Sequence, residues 1–257
     1  MEAKNVAGTS LTPPGGAERT LYVLATLARH GRPLTAAELA ALTRLAPSTL
    51  YRQLALLKQW GFVQENAGAY MPGPTCLQLA WGFDQTSYLL HEALPEMQKL
   101  SDQTEETVGL MVAVQKQVVC LDMVESRLPL RCAFTKGKGL PLTRGASAKA
   151  LLAFMPTAQR KAVLQDPDTV AQLGPGGLQR LEADLEKIRQ QGYAVSADEV
   201  DQGVWGVSVP IIPHVGKLLG GITLMAPVSR VDARSRSLIE QAVAAARRIS
   251  ARLHSQR

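Results

Sequence analysis

The residues with the clearest chemistry lie in one stretch, 46–60, APSTLYRQLALLKQW. Leu50, Leu54 and Leu57 recur at i, i+4 and i+7, so they share one helical face and need a core. Ser48, Arg52, Ala55 and Gln59 fall on the opposite side, flanked by Thr49 and Tyr51. That outer face is small, polar and basic near its N-terminal end. It carries no acidic side chain, whereas a merely solvated face mixes signs. Pro47 suits a first helical turn, where no backbone N–H is needed, and the free N–H groups there favour a phosphate. Such a surface suits the major groove of DNA, with its first two turns against the base edges. Ser48, Thr49, Tyr51 and Arg52 are the candidate groove contacts, Arg52 for a guanine or a phosphate.

Other reactive residues do not assemble. Ser147-Ala148-Lys149 is a Ser-x-Lys triplet, yet a serine opening a helix is a cap, and a lysine two residues on does not share its face. No base, orienting group and oxyanion donor converge in sequence, which argues against an enzyme. His30, His91, His214 and His254 are scattered; His214 falls in an expected hairpin turn and His254 near the terminus. Cys76, Cys120 and Cys132 are odd in number and far apart, so neither a disulfide framework nor a zinc site is implied. No metal or cofactor is expected, and a reduced, cytoplasmic compartment fits. Trp205 reads as core, and Arg247, Arg248 and Arg252 as the solvated face of the last helix.

The chain of 257 residues suits two domains of ordinary size. A 46% hydrophobic, 19% charged composition supplies a sizeable core, and a net charge of +6 permits a polyanion partner. No stretch has the length of a membrane span or the character of a signal peptide. Residues 1–16, polar with Gly and Pro, read as a flexible N-terminal arm.

The elements around the basic helix follow in order. Residues 18–30 read as a first helix with Leu21, Leu24, Leu27 and Ala28 on one stripe, stopped by Gly31-Arg32-Pro33. Thr35 and Glu38 form a capping box, with Leu34 as its staple, for a short helix Ala36–Thr43. Arg44-Leu45-Ala46 is the turn of a helix-turn-helix. Residues 62–65 and 69–71 read as strands around Asn66-Ala67-Gly68, which makes a wing. Arg44 and Asn66 are candidates for DNA backbone or minor-groove contacts. Residues 17–73 are thus expected to be a winged helix-turn-helix DNA-binding domain and 74–90 a linker helix. Leu77, Leu79, Ala80, Trp81 and Phe83 are too apolar for a free linker and imply packing on the first helix or on a second subunit.

Residues 91–257 change character. Residues 88–103 read as a helix despite Pro95, with Leu89, Leu90, Leu94, Met97 and Leu100 inward. Thr107–Val114, 118–124 and 130–134 read as strands, and 135–141 as a loop. Residues 147–154, Thr157–Leu164 and 178–191 read as helices. Residues 193–196, 204–212 and 217–225 read as strands, the last two joined at 213–216, and 234–254 as a terminal helix. This pattern is an α+β domain with helices packed on a curved sheet.

Over nearly its whole length the chain resembles the IclR (isocitrate lyase regulator) family of transcription factors. The N-terminal match is ERTLYVLATLA, LTAAELAALTRLAPSTLYRQLALLKQWGFV and AYMPGPTCLQLA; the C-terminal match is GKGLPLTRGASAKALLAFMP and LEKIRQQGYAVSADEVDQGVWGVSVPIIPHVGKLLGGITLMAP. The resemblance implies a winged helix, a linker helix and a C-terminal GAF-like α/β effector-binding domain. It also implies dimers, often paired as tetramers, under control of a small organic acid or aromatic metabolite. By motif position it carries over Leu140, Ala146 and Ser147 as effector contacts from the Gly-rich loop, and Cys132 from the preceding strand. Ser196, Val204 and Gly206 come from the second segment, Thr223 and Met225 from the last strand. The family often has Gly in place of Ala148 and an acidic residue near Ser196.

The residues support such a pocket on their own. Small side chains after a Gly-rich loop let a ligand approach the backbone, and the helix N-terminus favours a carboxylate. Arg131 and Arg144 can each pair bidentately with a carboxylate or form an exposed salt bridge. Glu199 is expected to orient the loop over the pocket. The function expected is a ligand-responsive transcription regulator of a catabolic operon. It would act as a homodimer or homotetramer on a near-palindromic double-stranded operator, with a small-molecule carboxylate as effector and no membrane partner. The competing reading is a small-molecule sensor acting through protein contacts, its winged helix a dimerisation module; only DNA binding falls steeply with salt.

Overall fold

The first apolar stripe becomes α1 (Gly16–His30), ended by Gly31 at φ 60, a left-handed position that glycine reaches without strain. In the computed structural model residues 15–213 and 216–253 are described, so the expected arm lies almost wholly outside them, as do His214, the tip of the 213–216 hairpin and His254. The chain divides into two units, residues 1–87 and 88–257.

In the first unit, β1 (Leu34–Thr35) leads into α2 (Ala36–Thr43) through the expected capping box. Thr35 Oγ1 accepts the Glu38 N–H at 3.3 Å, and the Glu38 carboxylate accepts the Thr35 N–H at 2.8 Å. That backbone hydrogen bond, with help from Arg32, holds the Glu38 carboxyl down at about 2. Arg44 closes α2 at φ 56, and α3 (Pro47–Gln59) starts after Ala46. The wing is β2 (Val63–Asn66) and β3 (Ala69–Pro72), turned at Ala67 and Gly68, both at positive φ as a tight hairpin turn demands. The sheet order is β1-β3-β2, so the wing gains a third strand that periodicity does not show. Val23, Leu27, Leu39, Leu50, Leu54 and Leu57 close the core. Leu21 and Ala28 are exposed, so the α1 stripe is rotated from the expected one, and Val23 and Thr26 are inward. α4 (Pro74–Thr86) follows, and Leu77, Leu79 and Trp81 are 73%, 60% and 67% exposed.

The second unit opens with α5 (Tyr88–Thr104), β4 (Thr107–Val114) and β5 (Gln117–Val124). β6 (Gly139–Pro141), α6 (Ala146–Phe154), α7 (Thr157–Leu164), α8 (Pro167–Leu173) and α9 (Gly177–Gln191) come next. The chain ends with β7 (Ala194–Ala197), β8 (Val204–Ile211), β9 (Gly220–Pro227) and α10 (Ser235–Arg252). The antiparallel sheet runs β6-β5-β4-β9-β8-β7. Strand alternation separates two cores. Val108, Leu110, Val207 and Leu224 face α5 and α10 on one side, while Met111, Val118 and Cys120 pack with α6 and α9 on the other. The class is the α+β expected.

Three local expectations are corrected. Residues 130–134 form no strand; Leu130 is 65% exposed, and the pairing on β5 is made instead by β6, inside the segment expected to be a loop. The irregular stretch is tied down by side chains: Arg230 donates to the Leu130 carbonyl at 2.7 Å and Thr107 Oγ1 to the Cys132 carbonyl at 2.6 Å. Leu94 of α5 is 43% exposed rather than inward. Arg248 and Arg252 are not simply solvated. They close on the buried Glu96 carboxylate at 2.6 and 2.9 Å and tie α10 to α5, while Arg247 is exposed as expected.

Candidate nucleic-acid interface and ligand cavity

α3 owes its orientation to its own pattern. With Leu50, Leu54 and Leu57 drawn into the core, Ser48, Tyr51 and Arg52 are exposed and Thr49 is half-buried. Tyr51 is 54% exposed. Arg52 also lines a groove between α3 and the first turns of α1, beside Gly16, Thr20 and Gln53. Thr20 Oγ1 donates to Gln53 Oε1 at 2.6 Å and pins the two helices at that point. On the other side of α3, Lys58 meets Glu65 of β2 at 2.5 Å, a contact that pushes the lysine pKa up and fixes the wing to the helix. Arg44 is exposed on the turn between α2 and α3, and Asn66 is exposed where the wing turns. The four α3 residues therefore share one side of one helix, with Arg44 at its entrance and Asn66 on the hairpin. The acid-free character of the α3 face persists; the nearest carboxylate on the wing, Glu65, is committed to Lys58.

In the second unit, a cavity of about 230 Å³ opens between the sheet and the start of α6. Leu140 of β6, Ala146 and Ser147 of α6, and Ser196 of β7 line it. So do Val204 and Gly206 of β8 and Thr223 and Met225 of β9. These are eight of the nine positions that the resemblance carried over. Cys132 is not on the wall; its neighbours Ala133 and Phe134 are. An irregular segment lacks the strand alternation that the motif position presumed, so the facing residue shifts by one. At Gly206 a Cβ would make only ordinary contacts, 3.8 Å from Ala146 Cβ and from Ser196 Oγ, so its absence widens the cavity rather than relieving a clash. Gly109 seats the Phe134 ring, which a Cβ would meet at 2.7 Å.

Sequence reasoning missed Met111, Val118 and Cys120 of the cavity wall, and Thr135, Lys138 and Asp201 at its loops. The first three were legible as the alternate face of their strands. The loop residues leave no periodic signal. Burial, then the Asp122 carboxylate, pushes the Cys120 thiol up to about 11, so it lines the cavity as a neutral group. The Cys132 thiol is raised as well, by burial and then Glu106.

The α6 N-terminus is already engaged. Ala146 N–H donates to Ser196 Oγ at 2.9 Å, and Gly145 N–H to Glu199 Oε2 at 3.0 Å. Lys149, 6% exposed, holds Glu199 Oε1 at 2.6 Å and Asp184 at 3.2 Å. The lysine of the Ser-x-Lys triplet is thus a strut between two carboxylates, not a base beside Ser147. Arg144 donates to the Glu199 carbonyl, and Arg131 pairs with Glu125 at 3.1 Å in an exposed bridge. Neither arginine lines the cavity. Glu199 positions the turn between β7 and β8, where Val200 and Asp201 reach the wall. Among the described residues no group of three His, Cys, Asp or Glu side chains is placed to hold a metal ion.

The comparisons with known proteins point one way. Residues 85–251 match the family model described as bacterial transcriptional regulator IclR C-terminal, and residues 16–67 match the IclR helix-turn-helix domain. The HTH-type transcriptional regulator BhcR of Paracoccus denitrificans is 29% identical over 222 residues, covering 84% of this chain and 80% of that protein. A putative IclR transcriptional regulator from Silicibacter sp. superposes with a TM-score of 0.83 at 26% identity, over 93% of this chain and 96% of that one. An IclR homologue from Microbacterium hydrocarbonoxydans, complexed with 4-hydroxybenzoate, shares the fold at a TM-score of 0.71 and 22% identity, over 92% and 98% of the two chains.

Proposed function

The chain belongs to the IclR family of bacterial transcriptional regulators, and from that premise we propose that it controls a catabolic operon in response to a small organic acid or aromatic metabolite. It is a transcription regulator rather than an enzyme, with a DNA-binding helix-turn-helix and a C-terminal effector domain. The observation that carries the finer reading is the cavity: hydroxyl-bearing, partly apolar, and built where α6 meets the sheet. In our reading residues 17–73 bind DNA, 74–90 link and 91–257 take the effector. Ser48, Thr49, Tyr51 and Arg52 enter the major groove, and Arg44 and Asn66 touch the backbone or minor groove. Phosphate contacts supply much of the affinity and make it salt-dependent.

The exposed Leu77, Leu79 and Trp81 of α4 support a homodimer or homotetramer, because solitary helices rarely leave such a face in water. Two recognition helices related by a two-fold axis read a near-palindromic operator. Among the described residues no helix is long and apolar enough to cross a membrane, and the site of action is the cytoplasm, where the operator is.

The test is a gel shift on the DNA upstream of the protein's own gene, with a panel of aromatic and short-chain carboxylates; the fold neighbour's 4-hydroxybenzoate makes aromatic acids the first choice. A specific shift altered by one compound supports the reading. Ser147→Trp, which fills the cavity, should abolish the ligand response and spare DNA binding. A response that survives it places the effector elsewhere.

A further inference from the structure

The wall of the cavity carries two charges of opposite sign among the described residues, and neither is used. Lys138 is its one cation and Asp201 its one anion. The other charged groups around it are committed to one another. Lys136 pairs with Asp122 at 2.9 Å, and Lys149 with Glu199 and Asp184. Among the described residues neither the Lys138 ammonium nor the Asp201 carboxylate has a hydrogen-bond or ion-pair partner, and Asp201 acts only at a distance, on the Cys132 thiol. Lys138 stands on the segment entering β6, at one edge of the sheet. Asp201 stands on the turn between β7 and β8, at the other edge.

The polarity of the cavity follows. An entering carboxylate is discouraged at the α6 end, where the outermost N–H groups already serve Ser196 and Glu199 and where Asp201 adds negative charge. Lys138 offers an unused ammonium instead. Asp201, acceptor-only when ionised, asks for a donor. Between them the surface is apolar, with Met111, Phe134 and Met225 prominent.

We propose that Lys138 and Asp201 are the two poles that select the effector, which carries a carboxylate for Lys138 and a hydroxyl or ammonium donor for Asp201 on a short apolar body. The cavity volume equals that of roughly eight liquid waters, which admits a ligand of about ten non-hydrogen atoms. This inference rests on the reading of the cavity as the effector site.

The experiment is calorimetric titration of the full-length protein with benzoate, phenol, and 3- and 4-hydroxybenzoate. A hydroxybenzoate should bind about tenfold more tightly than either benzoate or phenol, since each single-pole probe leaves one charged hydrogen bond unmade. Lys138→Ala should erase the preference over phenol, and Asp201→Ala the preference over benzoate. Both side chains are exposed, so the variants are expected to fold, and circular dichroism checks that they do. Hydroxybenzoate binding that ignores either substitution overturns the two-pole assignment while leaving the effector site intact. The absence of binding by every probe, or binding that survives Ser147→Trp, overturns the cavity reading itself and this inference with it.

Discussion

Arg52 is the residue on which the DNA-binding face of α3 is most exposed to test. It combines an exposed guanidinium with a place in the groove that α3 shares with the first turns of α1. Arg52→Ala should weaken operator binding by about 1–3 kcal/mol without unfolding the protein. Fluorescence anisotropy at one fixed salt concentration measures the loss, and a set of single-base operator variants tells a base contact from a phosphate contact. Uniform weakening across the variants marks a phosphate; unchanged affinity removes Arg52 from the interface. The outer face of α3 was legible in the sequence because Leu50, Leu54 and Leu57 fix its rotation. The cavity was legible where strands and α6 form its wall. Lys138 and Asp201 were not, because loops place them and no period announces a loop side chain. Cys132 shows the same limit, as an irregular segment turned Ala133 and Phe134 to the wall in its place.

Elements are joined by a few buried charges, and two of these joints are measurable. Asp166 caps α8, accepting the Thr169 N–H at 3.2 Å, and also binds Lys116 from the turn between β4 and β5. Burial pushes its carboxyl up, but the hydrogen bonds from Lys116 and Thr169 outweigh that and hold it below the usual carboxylate range. Its folded pKa is therefore the lower one. The stability it contributes is present above the unfolded value and is lost as pH falls through the folded value. Asp166→Ala should cost about 1 kcal/mol at pH 7, the ordinary worth of an N-cap. The gap to the native protein should narrow in urea melts below pH 4; a constant gap would show that the ionised cap is not the cause. The second joint is Glu106, whose 1%-exposed carboxylate meets the Arg230 guanidinium at 2.6 and 2.8 Å. Arg230→Ala leaves that carboxylate buried without its cation, and such a loss costs about 3–5 kcal/mol. Urea unfolding followed by the buried Trp205 reads it; a loss under 1 kcal/mol would mean that water reaches Glu106. The same arginine holds the Leu130 carbonyl, which is why 130–134 misled the sequence reading. Its apolar and aromatic residues, Leu130, Cys132, Ala133 and Phe134, suit a strand, but side chains from distant elements fix its path. α8 was missed for a related reason, since Asp166-Pro167 announces a cap only when a helix is already suspected.

At the scale of the molecule, two units of one chain bind two different things, and the proposed function requires that they communicate. The family resemblance was readable from end to end because both units keep their motif spacing. Coupling has no such signature, being a property of populations rather than of residues. It is nonetheless a sharp quantity. If the effector changes operator affinity by some factor, the operator must change effector affinity by the same factor. For a working regulator that factor is expected between about 5 and 150. Operator binding followed by anisotropy, with and without saturating effector, gives one side of the cycle. Calorimetric titration of the effector into free and operator-bound protein gives the other. Both belong at a single salt concentration, because the DNA arm alone falls steeply with salt while a ligand in the cavity responds weakly. Matching factors within the expected range identify the cavity ligand as the effector. Unequal factors expose a change in oligomeric state between the two arms, which the apolar face of α4 makes a real possibility to control by sedimentation. A factor of one on both sides would mean that the compound occupies the cavity without regulating, and the search for the metabolite would resume with the polarity of Lys138 and Asp201 as its guide.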